Sequence, residues 1–90
     1  MEKNEDMSLY EAIGKRIRKV REIKEYSRRV LSGMVGISEK HLYNIEMGKV
    51  RVGLGMLINI CKAPGISSDY IINGNADDSV KKLFVDEILE

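Results

Sequence analysis

On an α-helix turning by about 100° per residue, Lys40, Tyr43, Asn44 and Met47 share one side, with Glu39 at the amino-terminal tip. Leu42 and Ile45 take the opposite side, and Glu46 lies next to them. The outward set has useful chemistry. A lysine ammonium donates to guanine O6 and N7, and an asparagine carboxamide pairs with adenine N6 and N7. Tyr43 can bond a phosphate or pack on a thymine methyl. Glu39 can accept from cytosine N4, and a carboxylate suits a helix amino terminus in any case. Each of these side chains would also serve as an ordinary solvated surface. Cations surround the segment: Arg28 before it, where a helix start already attracts anions, and Lys49 and Arg51 after it. Arg29 is a further candidate for contacting phosphate. His41, on the flank of the same helix, reads as a packing or solvated residue.

Catalytic chemistry finds no support. With one histidine and one cysteine, no Ser/His/Asp or Cys/His arrangement is credible. Cys61 reads as a small core residue and cannot form an intramolecular disulfide. Gly53-Leu54-Gly55 lacks the lysine and serine or threonine that a phosphate loop requires. No enzyme activity, cofactor, metal site or small-molecule substrate is expected.

The charge distribution agrees with a polyanion partner. The net charge of +1 averages a basic middle and two acidic ends. Residues 15–51 hold eleven bases and four acids, whereas residues 1–14 and 52–90 each carry a net charge of −3. A basic segment so confined suits one anion-binding surface. Ninety residues suffice for one compact core, and the 43% apolar content is too high for a disordered chain. No apolar run approaches the ~20 residues that span a bilayer, and residues 1–6 lack the apolar stretch of a signal peptide. The expected class is a small soluble cytoplasmic domain with no membrane partner.

Helical periodicity supplies the supporting elements. Ser8 and Glu11 make a capping box, after which Leu9, Ile13, Ile17 and Val20 give one buried face over residues 9–24. Residues 1–7 are expected to be a flexible tail. Tyr26-Ser27, Ile37-Ser38 and Ile66-Ser67 each set an apolar residue before a serine N-cap. Leu31, Leu42 and Ile71 stand four residues inside, as hydrophobic staples require. Helices are predicted over residues 28–35, 39–47 and 68–72, with Gly36 and Gly48 closing the first two. A fourth carries Leu54, Leu57, Ile58 and Cys61 and stops where Pro64 pushes Ala63 from helical angles. Residues 75–90 read as a linker and a last helix, capped by Ser79 and carrying Val80, Leu83, Phe84 and Ile88. The fold class expected is all-α.

Two short helices joined by Gly36-Ile37-Ser38 have the spacing of a helix-turn-helix. At this point the sequence resembles the lambda-repressor-like domain of the Cro/XRE family of transcriptional regulators. The resemblance rests on Ile13-Gly14-Lys15-Arg16-Ile17-Arg18 with Arg21, Ser27 with Leu31, and Gly36-Ile37-Ser38. It continues through Leu42, Ile45-Glu46 with Gly48-Lys49, and Ser67 with Asp69-Tyr70-Ile71-Ile72. It implies a five-helix domain over residues 8–74 that places residues 39–47 in the major groove. It also implies base contacts from Glu39, Lys40 and Asn44, a phosphate contact from Arg28, and an Arg21–Glu46 ion pair. Where Arg28 stands the family often has glutamine.

The expected function is a sequence-specific regulator, a repressor, that binds double-stranded DNA at a pseudo-palindromic operator as a homodimer. The apolar stripe Val80, Leu83, Phe84 and Ile88 either folds over the domain's own core or pairs with a second subunit, and pairing is the expectation adopted. The alternative is a protein-interaction module, such as an antitoxin or partner-docking subunit, whose DNA binding is incidental.

Overall fold

A computed structural model describes the backbone of residues 2–89 and the side chains of residues 7–78 and 80–85. Among these residues the chain is all-helical. The helices are α1 (Glu2–Ile23), α2 (Arg28–Val35), α3 (Glu39–Glu46), α4 (Leu54–Lys62), α5 (Ser68–Asn73) and α6 (Asp78–Leu89).

α1 starts at Glu2, so residues 2–7 of the expected tail are helical and Ser8 lies inside the helix, which corrects the expected cap; residue 1 lies outside the described residues. Residues 2–7 hold no glycine or proline that would interrupt a helix. Ile13, Ile17 and Val20 are buried as the period requires, but Leu9 is 46% exposed. Tyr10, its neighbour, packs on the core instead. α1 ends at Ile23, and just beyond it Glu25 takes a φ of 61°, while the Tyr26 amide donates to the Arg21 carbonyl at 3.0 Å. That left-handed position is one glycine fills without strain. Glu25→Gly is therefore expected to raise stability by roughly 0.5–1 kcal/mol, read as a higher urea midpoint at unchanged slope.

The three serine caps form as expected. Ser27 Oγ accepts from the Val30 amide at 3.0 Å, Ser38 Oγ from His41 at 3.0 Å, and Ser67 Oγ from Tyr70 at 3.3 Å. Tyr26, Ile37 and Ile66 pack against the core that holds Leu31, Leu42 and Ile71.

Other boundaries differ in cause. Ala63 keeps right-handed helical angles before Pro64. The chain turns instead at Gly65, with a φ of 73°, and the Ile66 amide donates to the Cys61 carbonyl at 2.9 Å. α6 is capped by Asp77, whose carboxylate accepts from the Val80 amide at 3.0 Å, in place of Ser79. In α4 the buried face is Leu57, Ile60 and Cys61, leaving Leu54 67% and Ile58 38% exposed.

The core lies between α1 and the later helices, and α6 closes it. Val80 is fully buried there, Leu83 and Phe84 pack on the core, and Phe84 meets Tyr70 edge to face at 5.6 Å. Burial pushes the Cys61 thiol up to about 11, in keeping with a core residue.

Candidate nucleic-acid interface

α2 and α3 meet across a three-residue turn opened by Gly36, at a φ of 85°, whose amide donates to the Ser32 carbonyl at 2.8 Å. This turn sets α3 on the surface with one face inward. Leu42, Ile45 and Glu46 are buried, while Glu39, Lys40 and His41 are exposed. Tyr43 and Met47 are exposed by 37% and 42%, and Asn44 is half-buried. The outward set is the one that helical spacing gives.

Backbone contact fixes the pose of α3. A Cβ at Gly14 of α1 would fall 2.5 Å from the Ile45 carbonyl oxygen, and one at Gly48 would fall 2.6 Å from Glu11 Cα. Only glycine permits this approach. A buried ion network adds to it. Arg21 donates to Glu46 through Nε (2.6 Å to Oε2) and Nη2 (3.1 Å to Oε1). Its Nη1 donates to the Tyr26 carbonyl at 2.9 Å. The same carboxylate accepts from Arg28 Nε at 3.1 Å. One carboxylate thus faces two guanidiniums, which leaves positive charge at the start of α2, where the helix dipole also favours an anion.

Arg28 therefore has a structural partner that the spacing of the sequence did not show. Arg29, Lys49 and Arg51 are exposed around the α2–α3 surface. Two of the cations lie over the Tyr43 ring: Arg28 Cζ is 5.1 Å and Lys49 Nζ 5.2 Å from its centroid. Arg16, on α1, ties that helix to α5. Its Nη1 donates to the Ile71 and Ile72 carbonyls, both at 3.1 Å, so it caps the end of α5.

Among the expected pairing residues, Val80 is enclosed by its own chain and offers nothing to a second subunit. Leu83 and Phe84 are half-buried against the same core, and the Ile88 side chain lies outside the described residues.

A pair of short helices joined by a tight turn, with one polar, cation-flanked face outward, defines the helix-turn-helix class. A helix-turn-helix domain model matches residues 14–76, and the chain belongs to that family. Over 53 residues it is 36% identical to an uncharacterised HTH-type transcriptional regulator, y4dL, of Sinorhizobium fredii (strain NBRC 101917 / NGR234). The match takes in 59% of this chain and 27% of that relative. Both findings support the Cro/XRE-like motif read from the sequence. Among the described residues no helix is long and apolar enough to cross a membrane.

Proposed function

We propose that the chain is a sequence-specific regulator of transcription that sets α3 in the major groove of duplex DNA. The observation that carries this reading is the two-sidedness of α3. Its inner face is locked by Leu42, Ile45 and the Glu46 network, and its outer face offers Lys40 and Asn44. Glu39, Lys40 and Asn44 read base edges, while Arg28, Arg29, Lys49 and Arg51 hold the backbone. The family match and the named relative support the same reading. The protein acts in the cytoplasm as a homodimer on a pseudo-palindromic operator and represses by occupying it, since two-fold pairing doubles the sequence one short helix can read.

In vitro selection from a random duplex pool tests this directly. Recovery of one motif with two-fold symmetry is the expected result, and a pool that stays random would overturn the reading. Lys40→Ala or Asn44→Ala should cost about 1–3 kcal/mol on the selected site and relax the preference at one position per half-site. Equal weakening on every sequence would refute base reading by those two side chains.

A further inference from the structure

We propose that Tyr43 is a positioning residue: its ring holds Arg28 and Lys49 in place for the DNA backbone and does not itself read a base. The proposal rests on the DNA-binding reading of α3. Arg28 opens α2 and Lys49 follows α3, so the two cations approach the ring from different elements. Both lie within the ~6 Å over which a ring face attracts a cation, at 5.1 and 5.2 Å.

Arg28 is constrained twice. Its Cζ lies over the Tyr43 ring, and Glu46 Oε1 accepts from its Nε. A guanidinium held in this way still has further N–H groups to donate, so a phosphate can bind without displacing the ring. Its side chain remains 31% exposed, which leaves it accessible to one. Lys49 has no such fork, and a lysine in solution samples many rotamers that binding must freeze. The ring restricts it before DNA arrives, and that preorganisation raises affinity. With two cations lying over it, the ring is poorly placed to slide along a base edge.

The test compares Tyr43→Phe with Tyr43→Leu on the selected duplex and on a scrambled one, across a salt series. Circular dichroism confirms that each variant is helical; at 37% exposure the position tolerates both. Tyr43→Phe keeps a ring and is expected to bind as the unaltered protein does. Tyr43→Leu keeps both charges but is expected to lose roughly 3- to 30-fold on both duplexes, with unchanged base preference. The slope of log affinity against log salt should become shallower by up to about one for each phosphate no longer met. Combining Tyr43→Leu with Lys49→Met should cost less than the two separate losses together. A changed preference at one base position, full affinity for Tyr43→Leu, or equal losses for phenylalanine and leucine would each overturn the proposal. Failure of the unaltered protein to bind any duplex would instead defeat the DNA-binding reading.

Discussion

Glu46→Ala is expected to destabilise the domain by about 3–5 kcal/mol, the usual penalty for leaving a buried charge without its partner. Glu46 is 3% exposed and Arg21 7%, and the carboxylate takes three of the guanidinium hydrogen bonds around it. Its removal strands Arg21 inside and brings two like charges together with nothing between them. A domain of this size has about 5–15 kcal/mol in all, so the variant should unfold at much lower urea. The double variant Arg21→Met with Glu46→Leu should recover much of the loss, because apolar replacement of a buried ion pair is often neutral or better. If Glu46→Ala melts within a degree or two of the unaltered protein, the network holds nothing together.

Gly14→Ala should cost about 3 kcal/mol or more, lowering the melting temperature by roughly 10–20 °C. The added methyl would meet the Ile45 carbonyl oxygen at 2.5 Å and the Glu46 carbonyl carbon at 2.7 Å. Both atoms belong to backbone, which cannot rotate away as a flexible side chain does. α1 and α3 would have to separate, opening the core around Ile13, Ile17 and Leu42. DNA binding should fall even below the melting temperature, because α3 would be displaced from its seat. A variant with unchanged melting and unchanged affinity would show that the two helices are not so closely apposed.

Features set by near neighbours in the chain could be read from the sequence, and features set by distant ones could not. Ser27, Ser38 and Ser67 cap amides three residues away, so their spacing alone identifies them. The outward face of α3 follows from the helical repeat once Leu42 and Ile45 are placed inside. α4 was harder, because Leu54, Leu57, Ile58, Ile60 and Cys61 offer more apolar surface than the core can take. Only the packing of α2 and α5 against it selects Leu57, Ile60 and Cys61. Arg16 looks like any surface cation until α5 brings its last carbonyls alongside. Val80 likewise had two possible partners, and sequence gives no means of choosing its own chain over a second copy. Pro64 is the stronger stop signal in the sequence, but it is Gly65 that reverses the chain.

The glycine-mediated seat of α3 also bears on how such a protein changes over generations. Its orientation depends on main-chain apposition at Gly14 and Gly48 and on Leu42, Ile45 and Glu46 facing inward, and not on the Glu39, Lys40 or Asn44 side chains. On the base-reading roles proposed for them, substitutions at those three sites would alter the recognised sequence at little thermodynamic penalty. Such a scaffold would permit retargeting by exchange of a few outward groups, while the interior is left untouched.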